Sequence, residues 1–286
     1  MSTSALKWTA LVLMVLDHLG EIFPGQIPLW FRYLGRMSAP LFLFCLAVGM
    51  RKTRSRTRYI KRLWIGSAVM GSGNLLLTLL YPNAPVAVSN NILSTMVVIA
   101  VLIWIFESFD DNYQRSDRLK RPEAALGIFA AVQVLVIVMS NLTLGQGKQW
   151  ARFINGLIPN IVFCEGSIDV VLLGLILYFC MNSSKRLCIG YIIYCGLQLY
   201  SSFSRSLSYG QLDYMVQYFY QWMMIGSLPL MLLYNGRKGK GNGNGKFFYF
   251  FYPAHIWIFF LLSNLMGKTS ISFIRHTFGY SFFCPI

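Results

Sequence analysis

The stretch AALGIFAAVQVLVIVMSNL (residues 124–142) decides the fold class, because its nineteen consecutive residues include no charged side chain. A helix needs roughly 20 predominantly apolar residues to cross the hydrocarbon core of a bilayer. Similar runs recur along the chain, among them ILSTMVVIAVLIWIF (92–106) and FFYFFYPAHIWIFFLL (247–262). Only 12% of the residues are charged, whereas soluble domains average about 25%. The sequence therefore predicts an all-α, polytopic integral membrane protein.

The predicted fold is a bundle of about nine to ten transmembrane helices in one domain that covers residues 1–286. A tenth, shorter crossing in the tail ISFIRHTFGYSFFCPI (271–286) would be poor, because Arg275 and His276 interrupt it. The nine predicted spans cover residues 5–22, 31–50, 63–81, 90–107, 124–142, 161–181, 187–203, 214–234 and 247–266.

The basic residues predict the orientation of the chain. Eighteen of the 25 Lys and Arg residues fall on one side of an alternating nine-span topology, and seven fall on the other. Because cytoplasmic loops are rich in Lys and Arg, we expect a multi-pass protein of the bacterial cell (inner) membrane with a cytoplasmic amino terminus. Topology and attraction to membrane lipids then account for the net charge of +15. The basic loops lack interleaved aromatic residues, so we expect no nucleic-acid partner.

Few ionisable residues interrupt the predicted spans, and such residues usually face the bundle interior or a watery cavity. In the predicted topology most of them share a similar depth near the outer face, whereas His255 lies near the middle of the last span. The set comprises Asp17, His18, Arg36, Glu165, Asp169 and His255, with Asn91 as an uncharged companion at a span start.

His18 is the predicted proton-transfer group, because imidazole suits that role near neutral pH. Neighbouring residues on a helix point to different faces, so Asp17 is a poor candidate to hold the His18 ring. Glu165 and Asp169, four residues apart, are expected to share one helix face and to offer an orienting carboxylate instead. The alternative for Asp17 is an ion pair with Arg36 that fixes two helices and performs no chemistry.

Pro253 places a second histidine in an irregular helix, because proline removes a backbone hydrogen bond and can kink the chain. His255 either faces the space that such a kink opens for a ligand or is satisfied by the loosened backbone. The glycine-rich stretch NGRKGKGNGNGK (235–246) reads as a flexible linker, although Arg237 and Lys238 are well placed for the phosphates of a donor. The six cysteines show no metal-binding spacing, so we expect no metal.

Five stretches carry a family resemblance: LKWTALVLMVLDHLG (6–20), LGRMSAPLFLFCLAVGMRKTRSRTRYIKRL (34–63), NNILSTM (90–96), LPLMLLYNGRKG (228–239) and KFFYFFYPAHIWI (246–258). Together, and in this order along the chain, they resemble the TraX family of membrane proteins. The resemblance implies a single acyltransferase-like domain that is similar to multi-span enzymes with a cytoplasmic acyl donor and an acceptor on the far side. His18 and His255 match the histidines of the family motifs, and Asp17, Arg36, Arg54, Arg58, Asn91, Asn235 and Gly236 match other polar positions.

The leading hypothesis is therefore an acetyl-CoA-dependent acetyltransferase that modifies an amine or hydroxyl of a pilin-like protein, surface glycan or lipid at the outer side. His18 acts as a general base or carries a covalent acetyl group, and Asn91 or Arg36 stabilises the oxyanion. Predicted catalytic residues are His18, His255, Asp17, Asn91 and Glu165; predicted donor-binding residues are Arg36, Arg51, Arg54, Arg58, Asn235, Arg237 and Lys238.

Two alternatives belong to other classes of function. A proton-coupled transporter or exporter would use Asp17, His18, Glu165 and Asp169 as a relay. A non-catalytic scaffold for surface-fibre assembly would need neither histidine. The sequence does not define an oligomeric state.

Overall fold

The computed structural model describes residues 1–23, 25–84, 88–111, 115–143, 148–239 and 245–266. It is all-helical, with 77% helix, as predicted. The helices are α1 (Thr3–Ile22), α2 (Trp30–Gly35), α3 (Ser38–Lys52), α4 (Arg56–Leu80), α5 (Ile92–Ser108), α6 (Pro122–Thr143), α7 (Lys148–Leu157), α8 (Ser167–Cys180), α9 (Ser184–Ser208), α10 (Tyr214–Gln217), a 3₁₀ helix (Tyr220–Ser227), α11 (Leu228–Leu232) and α12 (Gly245–Met266).

Five helical segments among the described residues are long and apolar enough to cross a membrane. Two further apolar helices, α5 and α8, are shorter. The structure thus confirms several helices that could span a membrane, but it does not confirm a count of nine to ten. The tail with its weak tenth crossing lies outside the described residues. The five segments are Trp30–Lys52, Arg56–Leu80, Pro122–Leu142, Ser184–Ser208 and Phe247–Leu265.

Two predicted spans have a different local structure. The interval 214–234 contains α10, the 3₁₀ helix and α11 rather than one long helix. Pro229 has no backbone N–H and cannot donate the hydrogen bond that would continue a helix from the preceding turn. It lies in the first turn of α11, where a helix does not need that donor. The interval 161–181 becomes helical only at Ser167, because Gly166 and Ser167 both have positive φ angles, 76° and 51°.

The chain divides into two compact units, of which unit 1 comprises Met1–Gly49 and Leu173–Phe251. In unit 1, α1 packs on α2, and the 3₁₀ helix packs on both α2 and α9. Helix α9 buries polar side chains such as Tyr191 and Ser206, whereas apolar side chains such as Ile193 and Leu197 are exposed. This arrangement is the reverse of a soluble helix and is typical of one that faces lipid on its outer side.

Unit 2 comprises Met50–Leu172 and Tyr252–Ile286. Helix α5 is its central element, because twelve of its 17 residues are buried. Helix α4 packs against both α5 and α7. A Cβ atom added to Gly71 of α4 would lie 2.9 Å from the Cα of Gly156 in α7, so the two glycines allow these helices to touch backbone to backbone.

Candidate functional site

The first candidate site in unit 1 is a charge cluster, made of Asp17 and Glu21 on α1 with Arg32 and Arg36 at α2. The Asp17 carboxylate lies between the two guanidinium groups, with Arg32 NH1 3.0 Å from Oδ1 and Arg36 NH2 bonded to Oδ2. Arg32 NH1 also lies 3.2 Å from Glu21 Oε2. The ion pair between Asp17 and Arg36, which the sequence offered as an alternative, is therefore present.

Two glycines make the close packing of the charge cluster possible. A Cβ atom on Gly35 would lie 2.3 Å from the Cβ of Asp17, and a Cβ atom on Gly20 would lie 2.8 Å from the Cδ of Arg32. Both distances are too short for any side chain. In the Asp-His-Leu-Gly and Leu-Gly-Arg motifs, the glycines thus leave room for the side chains of Asp17 and Arg32.

The 3₁₀ helix completes the surroundings of the two arginines. Tyr220 accepts a hydrogen bond from Arg32 Nε at 3.1 Å, and Gln221 accepts one from Arg36 NH1 at 3.1 Å. The Arg36 guanidinium also lies 5.8 Å from the centre of the Tyr220 ring. The Nε atom of Arg36 is buried and has no hydrogen-bond partner within the described part of the chain.

His18 lies beside the charge cluster and is only 6% exposed. Its ligand atoms and those of Asp17 and Glu21 all lie within 4.8 Å of one another. A metal ion could contact all three, but both carboxylates already pair with guanidinium groups whose positive charge opposes a cation. We therefore assign no metal to these residues.

The carboxylate that sequence reasoning missed near His18 is Glu21. It lies three residues further along α1, a spacing that brings side chains together on one helix face. The same spacing rule would have identified it from the sequence. Arg32 was also missed as a candidate, although it is buried and contacts both acidic side chains of the cluster.

In unit 2, Asn91 and Glu165 meet at the amino-terminal end of α5. The Asn91 side chain accepts a hydrogen bond from the Ser94 N–H at 3.3 Å, as an N-cap does. Glu165 Oε2 accepts the Asn91 N–H at 2.6 Å, and the Tyr252 hydroxyl accepts the Ile92 N–H at 3.0 Å. These contacts satisfy N–H groups that a helix start otherwise leaves unpaired, and the carboxylate complements the helix dipole.

The expectation that Glu165 and Asp169 share one helix face is wrong. Glu165 precedes α8 in a non-helical segment, whereas Asp169 is exposed in the first turn of α8. Side chains satisfy the backbone of that segment: Gln133 donates to the Pro159 carbonyl at 3.2 Å and accepts the Ile161 N–H at 2.8 Å. Non-helical backbone within a membrane protein requires such internal partners.

His255 lies on α12 in unit 2 and is buried. Its ring centre is 5.9 Å from that of Tyr252 and 5.9 Å from that of Phe259. Trp257 on the same helix donates to Asn74 Oδ1 at 3.0 Å, and its ring fills the space above Gly73. The Phe-Tyr-Pro-x-His motif is therefore fixed on both sides of His255.

The predicted donor-binding residues of the basic segment 51–58 differ in exposure. The side chains of Arg54 and Arg58 are exposed, and Arg51 is half-buried. Arg56, which the sequence did not single out, is only 1% exposed and pairs with Glu107. Arg54 and Arg58 are therefore accessible to a ligand, whereas Arg56 is buried in an ion pair within the protein.

The segment 235–239 is ordered against the start of α1, so the expectation of a flexible linker does not hold for it; residues 240–244 lie outside the described part of the chain. The Arg237 and Lys238 carbonyls accept the N–H groups of Thr3 and Ser4 at 2.9 and 3.1 Å. Asn235 accepts the Arg237 N–H at 3.1 Å. The Arg237 and Lys238 side chains remain exposed.

These features define a polytopic helical membrane protein with polar groups buried among its helices. The family model described as TraX protein matches residues 2–263, and the chain belongs to the TraX family. This confirms the family that the sequence motifs indicated. No curated protein and no solved structure matches the chain.

Proposed function

We propose that this TraX-family protein is an integral-membrane acetyltransferase that transfers the acetyl group of acetyl-CoA to an amine or hydroxyl of an acceptor. The observation that carries the proposal is the surroundings of His18. His18 is buried, and one of its ring nitrogens lies within 4.8 Å of carboxylate oxygens of Asp17 and Glu21. Imidazole is the side chain suited to accept and release a proton near neutral pH.

The proposed reaction uses His18 as a general base. The acceptor nitrogen or oxygen attacks the thioester carbonyl carbon and gives its proton to the imidazole. The carbon–sulfur bond then breaks, and the imidazolium returns the proton to the departing CoA thiolate. The products are the acetylated acceptor and free CoA. A variant in which the imidazole itself accepts the acetyl group before passing it on uses the same residue.

Arg36 is the better of the two predicted groups for the oxyanion. The Asn91 amide is already engaged, because its oxygen accepts from Ser94 and its Nδ2 donates to the Ser67 carbonyl at 3.1 Å. Arg36 is fixed by Asp17 and Gln221, and its buried Nε–H has no hydrogen-bond partner within the described residues. A preorganised donor of this kind stabilises charge that develops on the thioester oxygen.

In unit 2 the exposed side chains of Arg54 and Arg58 suit the phosphates of the donor. In unit 1 the exposed side chains of Arg237 and Lys238 have the same chemistry. We propose that they lie on the cytoplasmic side of the inner membrane, where acetyl-CoA is available. The acceptor would then be a pilin-like protein, glycan or lipid at the outer side. This placement follows from the distribution of Lys and Arg in the sequence.

The test is acetyl transfer by the purified protein in lipid nanodiscs with labelled acetyl-CoA and candidate acceptors. We expect CoA release and a labelled acceptor from the wild type, and a loss of at least about 100-fold in kcat for His18→Gln. Glu123→Gln, which removes an exposed carboxylate at the start of α6, is the matched control and should keep the wild-type rate. Equal rates for wild type and His18→Gln would refute the proposal.

The transporter alternative receives less support from the structure. A proton relay requires carboxylates that exchange protons freely, whereas Asp17 is held by two arginines and Glu165 caps α5. Proton-driven flux in liposomes without an acyl donor would favour it over the enzyme. The His18→Gln variant also tests the scaffold alternative. If the protein is a non-catalytic scaffold, this variant should still support surface-fibre assembly.

A further inference from the structure

A buried arginine joins three segments of unit 2. Arg56 is the first residue of α4, and it is only 1% exposed. Its NH2 group bonds to the carboxylate of Glu107 in the last turn of α5. Its backbone N–H donates to Asp117 Oδ2 at 3.1 Å. Removing one partner from a buried ion pair leaves an uncompensated charge, which is costly, so these contacts constrain where α4 begins.

A second arginine extends this network to the residues just before α4. Arg115 lies 3.1 Å from Asp117 Oδ1 and donates to the carbonyls of Arg51 and Thr53 at 3.2 and 2.5 Å. Burial alone would raise the pKa of Asp117, but the Arg56 N–H and the Arg115 guanidinium outweigh it and hold that pKa below its usual value. Asp117 therefore stays charged at neutral pH and links both arginines.

The residues around Asp117 are in turn attached to the carboxy-terminal end of α5. Trp104 donates from its indole N–H to the Asp117 carbonyl at 2.7 Å. Arg118 donates to the Ser108 carbonyl at 3.2 Å, where a cation also complements the helix dipole. The path from α5 through residues 115–118 to residues 51–56 consists of direct hydrogen bonds and ion pairs.

A group of exposed cations lies beside this network, in and next to the first turns of α4. The first turn of α4 contains no acidic residue, and Ser55 caps it by accepting the Arg58 N–H at 3.4 Å. Positive side chains at a helix start are unfavourable by themselves, whereas an anion bound among them is favourable. The exposed cations are Arg54, Arg58, Lys61 and Arg62.

We infer that Arg56 is a positioning residue: together with Glu107, Asp117 and Arg115 it holds Arg54 and Arg58 in place for the phosphates of the donor. This inference rests on the proposed function, because it takes the donor to be acetyl-CoA. Arg56 itself is inaccessible to the ligand. Its effect passes through the backbone of residues 51–58, so its loss should change donor affinity more than the chemical step.

The test measures binding of CoA alone to the full-length protein in nanodiscs, together with KM and kcat for acetyl-CoA. Glu107→Gln should raise both the Kd of CoA and the KM at least about tenfold, since misplaced binding groups lose much of their effect. The kcat should stay within about twofold of wild type. Asp111→Asn is the matched control. The Asp111 carboxylate lies 2.7 Å from Arg118, but its side chain is 96% exposed, so its loss should leave the Kd of CoA unchanged.

A double variant separates positioning from a general loss of structure. Arg54→Gln with Arg58→Gln should weaken CoA binding directly, and adding Glu107→Gln to that pair should cause little further loss. If Glu107→Gln does not fold, Asp117→Asn serves instead, because Asp117 bonds to the backbone N–H of Arg56 and to Arg115 in the same network. Wild-type CoA affinity in a folded Glu107→Gln or Asp117→Asn variant would overturn the inference but not the proposed function. Absence of CoA binding by the wild type would overturn both.

Discussion

Replacing Asp17 with asparagine tests whether the charge cluster fixes α1 against α2. The substitution keeps the size of the side chain but removes the charge that Arg32 and Arg36 share. Arg32 keeps Glu21 as a partner, whereas the partners that Arg36 keeps among the described residues, Gln221 and the Tyr220 ring, are neutral. The variant therefore leaves a buried guanidinium without a counter-charge.

The size of the effect follows from burial. Breaking a buried ion pair by removing one partner costs about 3–5 kcal/mol, and we expect a loss of unfolding free energy in this range for Asp17→Asn. Glu21→Gln is the matched control on the same helix. The Glu21 side chain is 32% exposed, and Arg32 would still pair with Asp17, so its loss should cost about 1 kcal/mol or less.

The assay is denaturant unfolding in detergent micelles, followed by tryptophan fluorescence. Adding Arg36→Gln to Asp17→Asn removes the unpaired charge, so the double variant should regain about 1–3 kcal/mol relative to the sum of the single losses. Equal destabilisation by Asp17→Asn and Glu21→Gln, or strict additivity of Asp17→Asn and Arg36→Gln, would refute the reasoning that the buried pair is energetically coupled.

Three further predictions concern other parts of the structure. Gly35→Ala places a Cβ atom 2.3 Å from the Cβ of Asp17, so it should destabilise the protein by about 1–3 kcal/mol; the same unfolding assay checks this, and a neutral effect would contradict it. Tyr252→Phe removes the acceptor of the Ile92 N–H and should cost about 0.5–2 kcal/mol, with unchanged stability as the contrary result. The lowered pKa of Asp117 gives stability that is present above its unfolded-state pKa and is lost as pH falls through the folded-state pKa. Stability of the wild type should therefore fall on acidification by more than that of Asp117→Asn, and equal pH profiles would exclude this role.

Composition and apolar periodicity were sufficient to predict a helical membrane protein. They did not predict which apolar intervals are continuous helices. The interval 214–234 is apolar enough for a span, but two of its side chains, Tyr220 and Gln221, are hydrogen-bonded to the arginines at α2. Such a partnership depends on residues almost 190 positions away in the chain, and a local pattern does not contain that information.

The same distinction applies to the polar residues. The pairing of Asp17 with Arg36 could be proposed, because both residues interrupt neighbouring apolar segments. The separation of the arginines in 51–58 into exposed Arg54 and buried Arg56 could not, because all of them look alike in a basic loop. Their difference arises from Glu107, an acidic residue at the far end of α5. Burial of a charge is thus set by its partner rather than by its own neighbours in sequence.

The motifs that carry the family resemblance serve two different purposes in the structure. Asn91 and Tyr252 hold the start of α5, and the backbone of 235–239 holds the start of α1. Their side chains or backbone carbonyls accept hydrogen bonds from the N–H groups at the starts of these helices. Substitutions at these positions should therefore lower the stability and the activity of the protein together. His18 differs, because its imidazole carries the proposed proton transfer, whereas the ion pairs of Asp17 with Arg32 and Arg36 join α1 to α2. Removing the imidazole should therefore abolish acetyl transfer while the charge cluster still joins α1 to α2, and measuring both quantities on the same variants separates the chemical group from the framework that holds it.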